Sequence, residues 1–199
     1  MLDLYYWESK FKSCYYSDRL VNKLLLLNNA SNYKIDIVEV KKAIYYAKKY
    51  HSDQKRQSGE PYYSHPLQVA YMVADYRFKT NVIVTSILHD VIEDTELSEE
   101  MINYLFGSTI ARQVENLTRI KKTKKISSLE MIQSLLQQNK DDLLVIKYFD
   151  RLHNMQSIKV KSPEKIKQIS KETLDVFLSL APRLKIGNEE QDLLIKLCN

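Results

Sequence analysis

Residues that interrupt regular backbone are scarce in this sequence, which has 3 Gly and 4 Pro among 199 residues. Gly and Pro form many of the turns in proteins, and they are also the residues that destabilise helices most. An all-β fold needs a turn after every short strand, so it needs many such residues. Their scarcity therefore predicts an all-α fold. A chain of this length can bury a hydrophobic core of its own.

The composition excludes wholesale disorder, since 44% of the residues are hydrophobic and 28% are charged. Disordered chains combine low hydrophobicity with high net charge. Here the net charge is +5, from 30 basic and 25 acidic residues. This modest excess is compatible with an anionic ligand such as a nucleotide, but it does not require one.

Cysteine usage and hydropathy indicate the compartment. Cys14 and Cys198 lie near opposite ends of the chain and match no zinc-binding spacing. No apolar run approaches the roughly 18 residues of a membrane-spanning helix, and the first residues lack the pattern of a secretory signal. We therefore expect a cytoplasmic protein with no membrane partner.

Periodicity predicts a series of helices. Apolar residues recur every three or four positions from Ile37 to Ala47, as an amphipathic helix requires. Residues 81–93 predict one mostly apolar helix. Ser98 and Ser162, each followed by acidic or Pro residues, are typical of helix starts. The polar residues 28–32 suggest a boundary between an N-terminal helical arm (1–35) and the main domain (36–199).

Chemistry-bearing residues form three separated clusters. They are His65, the string His89-Asp90-x-x-Glu93-Asp94, and the string from Asp150 to Asn154. On one helix, the second cluster would place an imidazole and three carboxylates beside buried aliphatic residues. Burial of those charges is costly unless a cation or hydrogen bonds compensate.

A divalent metal ion is the simplest compensation. The candidate ligands are His65, His89, Asp90 and Asp150, a mixed nitrogen and oxygen set that suits Mn²⁺, Fe²⁺ or Zn²⁺. Glu93 and Asp94 could then orient water and move protons. A structural interpretation stays open for each cluster: the acids could lie on a solvated helix face, and His65, His51 and His153 could serve packing or hydrogen bonding.

Several strings, in order, resemble the hydrolase domain of the RelA/SpoT family and its single-domain small alarmone hydrolases. They are HSDQKRQSGEPYYSHPLQVA, ILHDVIEDT, FDRLHNMQS and ETLDVFLSLAPRLKI, and the resemblance covers about residues 38–186. The order His, His-Asp, Asp is that of HD-domain phosphohydrolases. The resemblance implies an HD-domain helical bundle with the metal site between central helices. Family members remove the 3′-pyrophosphate of guanosine tetra- and pentaphosphate, usually with Mn²⁺, releasing pyrophosphate and GDP or GTP.

The resemblance also assigns roles to residues. Its metal positions are His65, His89, Asp90 and Asp150, the set already chosen on chemical grounds, and its catalytic pair is Glu93 and Asp94. It places substrate binding on three segments: a loop with Arg56, Gln57 and Ser58, a helix with Asn154 and Ser157, and a basic run with Arg119, Lys121 and Lys122. By composition alone, that basic run is an ordinary solvated surface.

The sequence departs from the family pattern near the expected site. Gln57 stands where the family usually has Lys, Phe149 where it has Ala, and Gln156-Ser157 where it has Arg-Thr. The segment from Asn116 to Arg119 replaces Gly-Val-Thr-Lys. The departures bear on substrate affinity, since the proposed ligands and acids are intact.

Other functions stay open. One is an HD phosphohydrolase of another nucleotide, such as NADPH. Another is a non-catalytic binding or regulatory remnant of a longer family member, which pairs with another protein through the aromatic N-terminal arm. Under any of these functions, the same arm could form a homo-oligomeric interface. Nucleic acid is a weaker candidate partner, because no stacking-aromatic motif accompanies the basic run. The sequence ends about a dozen residues after the match, so we expect hydrolysis without alarmone synthesis.

Overall fold

A computed structural model describes residues 6–119 and 126–199. Within these ranges the regular structure is helical, which confirms the expected all-α fold, and the only strand-like feature there is an isolated antiparallel bridge between Lys55 and Pro61. The α-helices are α1 (Trp7–Lys10), α2 (Tyr15–Ala30), α3 (Ile37–His51), α4 (Ser64–Val73), α5 (Thr80–Leu88), α6 (Val91–Asp94), α7 (Glu99–Phe106), α8 (Ser108–Leu117), α9 (Ser128–Gln137), α10 (Asp141–Gln156), α11 (Pro163–Glu172), α12 (Leu178–Leu184) and α13 (Asn188–Cys198).

Helices α4, α5 and α10 form the centre of the bundle. α10 contacts α4, α5, α8, α9, α12 and α13, and α5 packs between α3, α4 and α8. Every residue of α5 from Val82 to Leu88 is buried. This burial explains why its sequence is mostly apolar and uncharged, since a helix surrounded by other helices needs no polar face. His89, which directly follows α5, is consequently buried as well.

The N-terminal caps follow the sequence signals. Asp36 accepts hydrogen bonds from the N–H groups of Val38 and Glu39 at 2.9 and 3.0 Å. Ser98 caps α7, and Ser162 caps α11, whose first residue is Pro163. The predicted helix starts at Ser98 and Ser162 are therefore confirmed. Such caps satisfy N–H groups that have no partner within the helix.

The prediction of one continuous helix over residues 81–93 was wrong. α5 ends at Leu88, His89 and Asp90 form a turn, and α6 begins at Val91. The N–H of Glu93 donates to the carbonyl of Asp90 at 3.1 Å, a tighter spacing than the α-helical one. The apolar pattern alone could not reveal this tighter turn, because the backbone is right-handed and helical in both α5 and α6.

The last part of the described chain contains an irregular helical connection. A π-helical turn over Thr173–Phe177 joins α11 to α12, and α12 continues through Pro182 to Leu184. Lys185, with φ of 59°, adopts the left-handed conformation that ends the helix.

Helix α2, the second helix of the described chain, packs on the bundle. α2 contacts α3 and α4 and buries Leu20 and Leu24 completely. Lys23 on α2 donates to the carbonyl of Tyr71 on α4 at 2.7 Å. A division of the chain at residue 35 stays a prediction. No helix in the described ranges is both long enough and apolar enough to cross a membrane.

Candidate metal centre and active-site cleft

Three central elements bring together a cluster of histidines and carboxylates. His65 lies at the start of α4, His89 and Asp90 lie in the turn after α5, and Asp150 lies in the middle of α10. One ligand atom each from His65, His89 and Asp150 lies within 4.8 Å of the others, and all three residues are buried. The cluster sits at the junction of α4, α5 and α10 because these helices form the packed centre.

The distances place both imidazoles against both carboxylates. His65 Nε2 lies 3.1 Å from Asp150 Oδ1 and 3.5 Å from Asp90 Oδ2. His89 Nε2 lies 3.2 Å from Asp90 Oδ1 and 3.8 Å from Asp150 Oδ1. The structure thus brings together the four residues that the sequence indicated as ligands.

His89 offers a nitrogen to the cluster. Its Nδ1 lies 2.7 Å from the carbonyl oxygen of Ser86, and a carbonyl only accepts, so Nδ1 carries a hydrogen. Its Nε2 is buried and has no hydrogen-bond partner among the described residues. A buried, unpaired imidazole nitrogen facing two carboxylates fits a divalent cation with nitrogen and oxygen ligands.

The electrostatics of the cluster favour a positive charge at His89. Burial lowers the pKa of His89, but the nearby carboxylates of Asp90 and Asp150 outweigh burial and raise the pKa to about 9. A proton and a metal ion would therefore compete for the same nitrogen.

Asp150 is held by its neighbours on α10. Lys147 Nζ lies 2.5 Å from Oδ2, and the amide of Asn154 donates to Oδ1 at 2.7 Å. Burial raises the pKa of Asp150, but the charge of Lys147 and the adjacent imidazoles of His65 and His89 hold it well below its usual range. Burial likewise lowers the pKa of Lys147, and the charges of Asp150 and Asp90 outweigh it and raise the pKa. The buried carboxylate and ammonium thus keep each other ionised.

The predicted catalytic pair lies on α6 beside this cluster. Glu93 accepts a hydrogen bond from the backbone N–H of Arg119, and its Oε2 lies 3.6 Å from Arg119 Nη2. The hydroxyl of Tyr62 donates to Asp94 Oδ2 at 2.5 Å and lies 3.4 Å from Asp90 Oδ2. Burial, together with the charges of Asp90 and Glu93, raises the pKa of Asp94 despite the Tyr62 hydrogen bond. A raised pKa suits a carboxyl group that exchanges protons near neutral pH.

The loop between α3 and α4 meets the end of α10. Arg56 Nη2 donates to Asn154 Oδ1 at 3.2 Å and to Ser157 Oγ at 3.0 Å. Gln57 accepts from Lys161 Nζ at 2.7 Å. The structure therefore brings together Arg56, Asn154 and Ser157, which the sequence placed in one binding region.

These groups line a cleft of about 550 Å³. Pockets for small molecules generally fall between about 300 and 1,000 Å³, so the cleft can hold a nucleotide. Arg119 lies in its wall, whereas Lys121 and Lys122 lie outside the described residues. The side chains that define the cleft are Lys55, Arg56, Gln57, Ser58, Tyr62, His65, Asp90, Glu93, Asp94, Arg119, Ser128, Lys147, Asp150, Arg151, Asn154, Met155, Ser157, Ile158, Val160, Lys161, Lys165, Ile169 and Phe177.

Tyr62, Lys147 and Lys161 are among the cleft residues that sequence reasoning missed. Lys147 could have been found, because residues three apart on a helix share a face and Lys147 precedes Asp150 by three. Tyr62 and Lys161 lie outside the α-helices, where spacing along the sequence does not give position in space.

Phe149, the large residue beside Asp150, does not face the cleft formed by the described residues. Its ring packs against Tyr76 with centroids 5.0 Å apart, and the side chain is 1% exposed. Adjacent helical residues point about 100° apart, so a change next to a ligand can lie wholly in the core. The replacement of the family's usual Ala by Phe149 therefore changes the core and not the wall of the cleft.

Comparison with known proteins agrees with this geometry. The chain is 38% identical over 176 residues to the GTP pyrophosphokinase rsh of Brucella ovis, a match covering 84% of this chain and 24% of the relative. It is 38% identical over 168 residues to the guanosine-3′,5′-bis(diphosphate) 3′-pyrophosphohydrolase of Aquifex aeolicus, covering 81% of this chain and 24% of that protein. The chain thus spans about a quarter of the length of these relatives.

A solved structure shares the fold. It is that of a metazoan orthologue of SpoT described as hydrolysing ppGpp, with a TM-score of 0.63 and 21% identity, and the match covers 84% of this chain and 96% of the other. The sequence profile of the HD domain matches residues 43–187, which include all four candidate ligands. Since this match spans most of the chain, the protein belongs to the HD-domain family.

Proposed function

We propose that this protein is a metal-dependent hydrolase that removes the 3′-pyrophosphate of guanosine tetra- and pentaphosphate, releasing pyrophosphate and GDP or GTP. The main support for this proposal is that a cluster of candidate metal ligands lies in a nucleotide-sized cleft, next to two further carboxylates. The ligands are His65, His89, Asp90 and Asp150, and the further carboxylates are Glu93 and Asp94. The name of the Aquifex relative supports an alarmone as substrate.

The four clustered residues would hold the metal ion, and Mn²⁺ is the proposed ion, with Fe²⁺ and Zn²⁺ as alternatives. When bound, such an ion lowers the pKa of water and polarises a phosphoryl group. His89 Nε2, which has no hydrogen-bond partner within residues 6–119 and 126–199, and the two carboxylates supply a donor set of this kind. Four protein ligands leave coordination positions for water and a substrate oxygen.

Glu93 and Asp94 are the proposed proton-handling residues. Hydrolysis adds the oxygen of water to the phosphorus next to the ribose 3′ oxygen, and the bond between that phosphorus and the 3′ oxygen breaks. One proton leaves the water and one reaches the 3′ oxygen. Asp94 has a raised pKa and a hydrogen bond from Tyr62, so it can take or give one of these protons. Glu93, held by the Arg119 N–H, can orient the water.

The charge of the cleft suits a polyphosphate. Arg56, Arg119, Lys161 and Lys165 line it and are not members of the metal cluster. We propose that Arg56, Gln57, Ser58, Asn154 and Ser157 bind the nucleoside and that Arg119, with Lys121 and Lys122, meets the phosphates. A cytoplasmic location and self-association through the N-terminal arm complete the proposal.

The direct test measures pyrophosphate release from guanosine tetraphosphate, with Mn²⁺ and with a chelator. The Asp90→Ala variant should lose both activity and high-affinity metal binding, because it removes an anionic ligand. The Glu93→Gln variant retains an oxygen acceptor for the Arg119 N–H, so it should bind metal normally and lose about 10²- to 10⁴-fold in kcat.

The outcomes separate the hypotheses. No release by folded, metal-loaded protein would contradict the proposed substrate, and the same assay with NADPH would then test the main alternative. No release and no metal binding would favour a non-catalytic binding module. Full activity of Glu93→Gln would remove Glu93 from the proposed chemistry.

A further inference from the structure

His153, which has no role in the proposed reaction so far, connects the metal cluster to the nucleotide-binding loop. Its Nδ1 lies 2.9 Å from Nδ1 of His65 and 2.9 Å from Nη1 of Arg56. The rings of His153 and His65 are tilted by 51°, with centroids 4.9 Å apart. One ring nitrogen therefore faces a candidate metal ligand and a cleft arginine at the same time.

The chemistry of these three groups fixes where the hydrogens are. A guanidinium group only donates, so Nδ1 of His153 carries a lone pair and not a hydrogen. His65 Nδ1 can bond to that lone pair only if it carries a hydrogen itself. In a neutral imidazole with a hydrogen on Nδ1, Nε2 has the free lone pair. His65 Nε2 is the atom that lies 3.1 Å from Asp150 Oδ1, inside the metal cluster.

We propose that His153 is a positioning residue: its Nδ1 orients His65 so that Nε2 faces the metal ion, and it links that ligand to Arg56. The proposal rests on the metal site of the proposed function. Ligand histidines in metalloproteins commonly donate their other N–H to an acceptor that fixes tautomer and orientation. For His89 that acceptor is the Ser86 carbonyl at 2.7 Å. For His65 it is the ring of His153.

A coupling between the metal and the nucleotide loop follows. An imidazole nitrogen has a single lone pair, and here two donors share it. Arg56 also donates to Asn154 and Ser157 in the cleft. When an anionic ligand attracts Arg56 away from His153, His65 is left as the one donor to the lone pair on His153 Nδ1. The orientation of the His65 ring is then held more firmly. By linkage, the ligand and the metal ion should then each raise the affinity for the other.

The test is Mn²⁺ binding to the full chain without nucleotide, measured by calorimetry in competition with a chelator. His153→Phe keeps an aromatic ring but has no acceptor, and we expect its Mn²⁺ affinity to fall about 10- to 100-fold. His153→Asn is the matched control, since its side-chain oxygen can occupy the Nδ1 position. We expect this variant to bind Mn²⁺ within a few-fold of the wild type. Equal losses in both variants would contradict an acceptor role.

Arg56→Met tests the shared lone pair. We expect this substitution to strengthen Mn²⁺ binding in the wild-type background, and to strengthen it less in the His153→Phe background. An equal effect in both backgrounds would show that Arg56 acts through its charge alone, and it would overturn the link through His153. Such a double-mutant cycle isolates the interaction between the two residues.

Nitrogen NMR of the wild-type imidazoles gives a second readout that does not depend on how the variants fold. We expect His153 to be neutral without a hydrogen on Nδ1, and His65 to carry one there. A hydrogen on Nδ1 of His153 would overturn the proposal. Wild-type protein that binds no Mn²⁺ would overturn the metal site as well, whereas wild-type affinity in His153→Phe would overturn only the role of His153. Metal binding without alarmone hydrolysis would count against the proposed function and leave this inference standing.

Discussion

Lys147 Nζ lies 2.5 Å from Asp150 Oδ2, and the two side chains are buried one turn apart on α10. The same carboxylate turns its other oxygen, Oδ1, toward the imidazoles of His65 and His89. One carboxylate oxygen of Asp150 thus contacts a fixed positive charge, and the other faces the metal cluster. The lysine ammonium compensates the buried carboxylate even when no metal ion is bound.

Replacement of Lys147 by Met should therefore destabilise the metal-free protein. Loss of one partner leaves a buried, uncompensated charge, which generally costs about 3–5 kcal/mol. We expect a smaller loss with Mn²⁺, because the ion supplies positive charge to Asp150. Urea denaturation with chelator and with saturating Mn²⁺ would measure both values.

Lys79→Met is the matched control for that experiment. Lys79 pairs with Asp142 at 2.8 Å, but its side chain is 59% exposed. Exposed ion pairs contribute about 0–1 kcal/mol, and this one should not respond to Mn²⁺. Similar losses in both variants would argue against a special role for the buried pair.

Tyr62→Phe should alter the pH dependence of hydrolysis. The variant keeps the ring that stacks on His51, with centroids 4.6 Å apart, and removes the hydroxyl that donates to Asp94. That hydrogen bond lowers the pKa of Asp94, so its loss should raise the pKa further. In the plot of kcat against pH, we expect the limb that is set by ionisation of Asp94 to move to higher pH. We also expect kcat at the optimal pH to fall about tenfold.

Tyr104→Phe is the control, because Tyr104 is exposed on α7 and lies outside the cleft. Its pH profile should coincide with that of the wild type. An unchanged profile in Tyr62→Phe would mean that Asp94 does not control either limb.

The sequence predicted the fold class and the cluster of candidate ligands well, for a physical reason. Apolar spacing and the scarcity of Gly and Pro directly indicate helices. A charged residue beside an apolar helix, such as Asp90, needs an opposite charge or hydrogen bonds to offset the cost of its burial, wherever that helix packs. The turn at His89 and Asp90 was not predictable in this way, since it keeps right-handed backbone and interrupts no apolar period.

The partners of the cluster were harder to predict. The contact of Arg56 with His153 joins residues 97 positions apart, and that of Gln57 with Lys161 joins residues 104 apart. Such pairs depend on the packing of α4 against α10, which no local pattern encodes. Likewise, a helical neighbour of Asp150 such as Phe149 could be assigned to the core only once the position of α10 was known.

Lys161→Met should weaken substrate binding without slowing the chemical step. Lys161 bonds to Gln57 at the cleft wall and does not belong to the metal cluster, so it should act on the bound substrate and the transition state equally. We expect KM for guanosine tetraphosphate to rise about fivefold with kcat unchanged, and the effect to shrink as salt screens the charge.

Lys159→Met is the charge-matched control for Lys161→Met. Lys159 is an exposed lysine two residues away that does not line the cleft. It should leave KM nearly unchanged. An equal rise in KM for both variants would indicate a general electrostatic field in place of a specific contact at Gln57.

Acid pH should destabilise the protein through His51. This residue is fully buried, its Nδ1 contacts Gln54 Oε1 at 2.9 Å, and burial lowers its pKa below the ordinary 6.5. Between the folded and unfolded pKa values the unfolded chain binds more protons, so the free energy of unfolding falls as pH drops below about 6.5. His51→Asn should flatten this slope, by at most about 1.4 kcal/mol per pH unit. Urea midpoints of both proteins from pH 7.5 to 5.5, measured with chelator, would test this, and parallel slopes would exclude His51 as the responsible group.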